Sequence, residues 1–102
     1  MTDVGLVYVN WGRFVVDCPA GGCHDAREVA PGQDGEVCVA GHPMSLRWPD
    51  GAPALLAELQ RRPDERTRNW YPEGHPAAVR AGLPQGQSVE ELRAESAENG
   101  AH

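Results

Sequence analysis

The sequence contains no lysine. All nine of its bases are arginine, and 15 acids set against them give a net charge of −6. Binding to duplex nucleic acid needs a clustered positive field, so direct duplex binding is not expected. Apolar material is scarce as well: hydrophobic residues make up 40% of the chain and aromatic residues 6%. No stretch approaches the roughly 18 consecutive apolar residues of a membrane span, and the N-terminus lacks the basic-then-apolar order of a secretory signal. No membrane association is expected, and the setting read from this is intracellular and reducing. There the three cysteines are free thiols or metal ligands rather than a disulfide framework. Catalytic signatures are missing too: there is no glycine-rich phosphate loop, and no Ser or Cys is placed with His and a carboxylate for nucleophilic chemistry. The chain therefore reads as a non-enzyme.

Glycine and proline are abundant, at 12 and 9 of 102 residues. That composition argues against a long-helix bundle and against a large conventional core. Leu6 to Val16 is rich in β-branched and aromatic residues and predicts one or two short strands, bent near Asn10–Gly12. Ala26–Ala30 and Glu36–Ala40 read as paired strands joined by a hairpin loop at Pro31–Gly35, in which Asp34–Gly35 is a strong turn signal. Met44–Trp48 alternates like a third strand. Asp50 is placed to cap a helix over about 51–62, with Leu55, Leu56 and Leu59 on one side and Pro63 as its stop. The segment 63–87 is Pro-rich, with room for one helical turn ending at Gly82. Ser88 and Glu91 form a capping box that opens a helix over about 88–98. The expected fold is small α+β: a zinc-ribbon-like antiparallel hairpin or three-stranded sheet in residues 1–49, then two or three short helices in residues 50–102. The helical part would pack on the sheet part or on a partner.

The most informative spacing is Cys18-x4-Cys23-x14-Cys38-x3-His42. Structural zinc takes four thiolate or imidazole ligands in a tetrahedron, and two tight turns that each offer two ligands supply them. Gly21, Gly22 and Gly41 beside the ligands let the backbone turn tightly. One structural Zn²⁺ per chain would replace part of the core that the composition lacks. His24 competes with His42 for the fourth position. His42 is preferred, because the adjacent Cys23 and His24 cannot easily both point inward beside Cys18. The alternative is three small core cysteines with no metal. A catalytic zinc is disfavoured, since four ligands leave no open position, and Asp25 and Glu28 nearby read as surface carboxylates.

From Asp17 onward the chain resembles small zinc-ribbon proteins of actinobacteriophages and their prophages. The residues that carry the resemblance are the CPxxxC…CxxxH ribbon, Trp48–Pro49, and the Arg62–Pro63 … Arg68–Asn69–Trp70 … Pro72 block. The acidic GQSVEELRAESAENG segment completes it. In those proteins the fourth ligand is cysteine, where this chain has His42. The resemblance implies a zinc-bound fold of viral origin, in the bacterial host cytoplasm or the virion. It further implies a structural or assembly role, capsid- or tail-associated. The partner would then be a virion protein or neighbouring copies of the chain. The alternative is a ribbon that associates with nucleic acid or polymerase and regulates transcription.

Arg62, Arg68, Trp70 and Tyr71 are the candidate partner-binding residues, since an aromatic pair among arginines could stack on single-stranded nucleic acid. The preferred reading is that Trp70 docks onto the ribbon and anchors its loop, because an ordered Pro-rich loop needs a large apolar anchor. Trp11, Phe14 and Trp48 read as core, and His75 as a loop residue without a partner. The basic stretch Arg61–Arg68 and the acidic one from Ser88 onward are either two solvated faces or surfaces that meet each other or a partner.

Overall fold

A computed structural model describes residues 3–20, 23 and 25–99, with side chains to residue 95. Two three-stranded sheets and three helices make a small α+β fold. The first sheet has the order β1–β6–β5: β1 (Asp3–Leu6) runs parallel to β6 (Pro43–Arg47), and β5 (Gly35–Val37) runs antiparallel to it. The second has the order β2–β3–β4, formed by Tyr8–Asn10, Arg13–Asp17 and Ala26–Glu28, all antiparallel. Strands of three to five residues bury few side chains each, so the sheets depend on packing against one another. Gly5 permits the closest approach. A Cβ there would lie 2.6 Å from Val16 Cγ2 and 3.1 Å from Met44 Sδ, so only a residue without a side chain lets β1 cross β3.

The pairing differs from the expected hairpin. The segments around Ala26 and Glu36 do not pair with each other but lie in different sheets. Each strand instead folds back across its own ligand turn, β4 onto β3 and β5 onto β6. Within the expected Pro31–Gly35 loop the turn falls at Pro31–Gly32 rather than at Asp34–Gly35. Gly35 is already within β5, opposite Ser45. Gln33 organises the connection by accepting from the Ala30 amide and donating to the Gly35 carbonyl.

The helices are α1 (Ala52–Gln60), α2 (Pro76–Ala81) and α3 (Val89–Asn99). Asp50 does not cap α1. The cap is Gly51, in a left-handed conformation with no side-chain hydrogen bond, and its carbonyl accepts from Leu55 N–H. Ser88 and Glu91 do form the expected box, with both bonds at 3.1 Å. Gly82 ends α2 in the left-handed region.

One apolar cluster joins both parts. Val7, Val9, Phe14 and Val16 from the strands pack with Leu55 and Leu59 of α1, Leu92 of α3 and Trp70 from the long loop. Trp70 is 6% exposed. Its backbone exchanges two hydrogen bonds with Val9, at 2.8 and 2.9 Å, and its indole N–H donates to the Gln87 carbonyl. The loop thus docks as a short extension of β2. Among its described residues α3 packs only Leu92 and Val89 into this cluster, and it is also tied to α1 by charge. Glu58, nearly buried, lies 3.4 Å from Arg61 and 3.3 Å from Arg93. Arg62 lies 3.2 Å from Glu95, so the basic and acidic stretches meet at this pair.

Truncating Leu59, which is fully buried, is expected to cost about 3 kcal/mol, and Ser88→Ala about 1 kcal/mol. Urea denaturation of the metal-replete protein checks both, and equal effects would contradict this account of the helical half.

Candidate metal centre

The two ligand turns sit at the ends of two different hairpins. Cys18 follows β3, and its N–H donates to the Asp25 carbonyl at 2.9 Å, while Cys23 N–H donates to Ala20 at 3.0 Å. These bonds curl the chain between β3 and β4. In the second turn Cys38 N–H donates to the His42 carbonyl at 3.1 Å and Gly41 N–H to the Cys38 carbonyl at 2.9 Å. The His42 amide lies 3.4 Å from Cys38 Sγ and donates to it, a contact that stabilises a thiolate and orients it.

The sequence-predicted ligands Cys18, Cys23, Cys38 and His42 converge. One ligand atom from each lies within 4.8 Å of all the others. Cys23 Sγ and Cys38 Sγ are 3.8 Å apart, and His42 Nδ1 is 3.3 Å from Cys38 Sγ and 3.7 Å from Cys18 Sγ. A tetrahedral ion with metal–sulfur bonds near 2.3 Å spaces its sulfurs by about 3.8 Å, and places a ring nitrogen about 3.6 Å from each. The three spacings just given lie within a few tenths of an ångström of those figures, and the remaining pairs lie within 4.8 Å. The three cysteines are unbridged. Cys18 and Cys38 are buried and His42 is exposed at the rim. His24 lies outside the described residues, as do Gly21 and Gly22, while His42 meets the geometry of the fourth ligand.

The thiols differ in acidity. At Cys18 the Ala20 amide pulls toward the thiolate, but burial and the neighbouring Cys23 and Cys38 thiols outweigh it and hold the group protonated well into the alkaline range. At Cys38 burial acts in the same direction, yet the amides of His42 and Ala40 overcome it and pull the thiol down toward neutrality. Of these two thiols Cys38 is thus the more acidic. A bound dication would supply the field that deprotonates the others.

Around the ligands are groups that the sequence did not single out. Asp25 reads as a surface carboxylate but joins the two turns: its Oδ2 accepts from the Val39 amide at 2.9 Å and lies 3.4 Å from Arg27 Nε. Arg27 in turn donates twice to the Val37 carbonyl, at 3.2 and 3.3 Å. This staple fixes the second turn against the strand that follows the first. Glu28 is exposed and only loosely paired with Arg13, at 3.9 Å. On the other flank Tyr8 donates to Asp17 at 2.7 Å, one residue before Cys18. Burial, then the Asp17 contact, raises the Tyr8 phenol, so it remains a donor. Tyr8 stacks on Tyr71 at 5.6 Å, and His75 packs against both. His75 is not a partnerless loop residue. It is buried, and its Nδ1 caps α2 by accepting from Ala77 N–H at 3.2 Å.

The structure places the candidate partner-binding residues in internal contacts. Trp70 is in the core, and Tyr71 is half-buried in the Tyr8–His75 stack. Arg62 donates to the Thr67 carbonyl and Arg68 to the Arg62 carbonyl. Phe14 is core and Trp48 half-buried against it, edge to face at 5.1 Å. Trp11, expected in the core, is 51% exposed.

Asp25→Ala is expected to weaken divalent-metal binding by about tenfold while leaving all four ligands in place. Competition with a chromophoric chelator reads this, and an unchanged affinity would exclude a positioning role. Burial lowers the basicity of His75 against the weaker pull of Asp17. The unfolded chain then takes up a proton that the fold resists, so this contribution to stability is present above the unfolded value near 6.5 and fades as pH falls below it. His75→Asn keeps a capping acceptor and should flatten stability against pH over that range, as measured by thermal melts at fixed metal.

The chain matches no protein-family model, none of the curated proteins and none of the solved structures with which it was compared.

Proposed function

We propose that the chain is a non-enzymatic assembly module whose fold is clamped by one structural zinc ion in a zinc-ribbon arrangement. The observation that carries this reading is the convergence of Cys18, Cys23, Cys38 and His42 at tetrahedral spacings. Three thiolates and an imidazole suit zinc, and four protein ligands leave no position for substrate or a catalytic water. The metal's contribution is then folding free energy, on the order of 10 kcal/mol in small ligand-matched peptides. Val37 and Val39 flank Cys38 and are 47% and 78% exposed. Apolar side chains held out by a rigid turn favour contact with a protein surface. The resemblance of the Arg62–Pro63 and Arg68–Asn69–Trp70 block and the acidic helix to actinobacteriophage ribbon proteins extends the proposal to a virion-associated role. In that role the chain contacts a virion protein or its own copies. A nucleic-acid-binding ribbon is the weaker reading, because Trp70 is enclosed and the chain is acidic.

Native mass spectrometry of protein purified without chelator tests the reading. The expected result is one zinc per chain in a discrete oligomer or a complex with a virion protein. Cys38→Ser should lose both metal and cooperative unfolding. A metal-free chain with three freely reactive thiols would overturn the zinc clamp, and a zinc-bound monomer absent from purified virions would overturn the assembly role.

A further inference from the structure

The β2–β3 hairpin turns through Trp11 and Gly12, with φ of 54° and 77°. Two-residue turns with both φ values positive favour Asn-Gly or Gly-Gly, because a Cβ at the first position strains the backbone. A tryptophan there is costly, and at 51% exposure its burial offsets little of that cost. The turn does not need the indole. It is held through other atoms: Trp11 N–H donates to Asn69 Oδ1 at 2.9 Å, Gly12 N–H to the Arg68 carbonyl at 2.9 Å, and Gln60 Nε2 to the Gly12 carbonyl at 3.0 Å. Any residue other than proline at position 11 would keep these bonds. Strain retained without a folding benefit points to function.

Beside the indole lies a groove of about 550 Å³, lined also by Asn10, Arg13, Val15, Glu28 and Glu65. Arg13 and Glu28 bring one charge of each sign and are only loosely paired, at 3.9 Å, so they leave the groove's charge balance even. Glu65 has no ion-pair partner among the described residues. One aromatic face and one free carboxylate remain. We propose that Trp11 and Glu65 form a docking site for a cationic side chain, arginine or lysine, on a basic segment of a protein partner. The ring face attracts a cation, the carboxylate supplies its counter-charge, and the chain's net charge of −6 steers such a segment toward it. A nucleic acid could stack on the same ring but would bring phosphates against Glu28 and Glu65. A neutral sugar could stack without using Glu65. The site is separate from the metal ligands and does not depend on the identity of the ion.

Anisotropy of a labelled hexa-arginine peptide, titrated with the folded metal-replete protein, tests this. Hexa-citrulline serves as the neutral isostere, with oligo-dT and a chitin hexasaccharide as the other probes. Binding of hexa-arginine alone is expected, weakened about tenfold by Trp11→Asn and several-fold by Glu65→Gln. Glu90→Gln, which removes the same charge elsewhere, should have a smaller effect, and Trp11→Phe should retain part of the affinity. Trp11→Asn should melt no lower than the parent protein. The proposal is overturned by equal losses in Glu65→Gln and Glu90→Gln, by binding of hexa-citrulline, oligo-dT or the sugar in place of hexa-arginine, by absence of peptide binding, or by a large drop in melting temperature for Trp11→Asn.

Discussion

Four ligand atoms from two separate hairpins meet within 4.8 Å, and the arrangement of the strands depends on that meeting. The β3–β4 and β5–β6 pairs belong to different sheets. Neither sheet exceeds three strands, and the strands are three to five residues long. Sheets of that size are marginal alone. Three thiols at this spacing, two of them buried, also repel one another as they ionise, so the cluster resists its own second and third deprotonation. An ion that binds three thiolates and an imidazole turns that repulsion into attraction. Such an ion would join the two hairpins at their turns, where the chain reverses and has fewest ladder bonds.

The rest of the fold prepares the turns for that contact. Asp25 and Arg27 bridge from one turn to the other through the Val39 amide and the Val37 carbonyl. Tyr8 holds Asp17, so the last residue before Cys18 is fixed from the opposite side. Trp70 fastens the long loop to β2 and brings Tyr71 and His75 onto Tyr8. A path of packed groups therefore runs from the helical half to the first ligand. The metal site and the core support each other, because the core positions Tyr8 and Tyr8 positions the turn.

What the residues revealed in advance was local. The ligand spacing, the Ser88–Glu91 box, the Gly82 stop and the bend at Asn10–Gly12 each depend on neighbours within a few residues, and a sequence displays those directly. Partner choice between strands is not local. Glu36–Ala40 could pair with either of two flanking segments, and the Asp-Gly signal favoured the wrong one because Gly35 serves a strand rather than a turn. His75 was misread because its partners, Tyr8 and Tyr71, are an aromatic pair assembled only by the Trp70 anchor. Trp11 was assigned to the core on residue type alone. Its position in a two-residue turn, where side chains point away from the sheet pair, was the signal that outweighed it.

The absence of lysine follows the same physical logic. Much of this chain is loop, and loop carbonyls lack ladder partners yet must be satisfied where they are covered. A guanidinium offers five donors in a fixed plane, whereas an ammonium is a strongly hydrated point charge. Here arginines serve loop and strand-end oxygens: Arg27 on Val37, Arg62 on Thr67, Arg68 on Arg62. Arg62 reaches Thr67 and Glu95 together with a side chain only 13% exposed. A lysine has three donors but on a single atom, so both oxygens would have to converge on one point and the ammonium would have to leave its water. In a fold with short strands and long connections, these three arginines therefore serve as structural cross-links between segments.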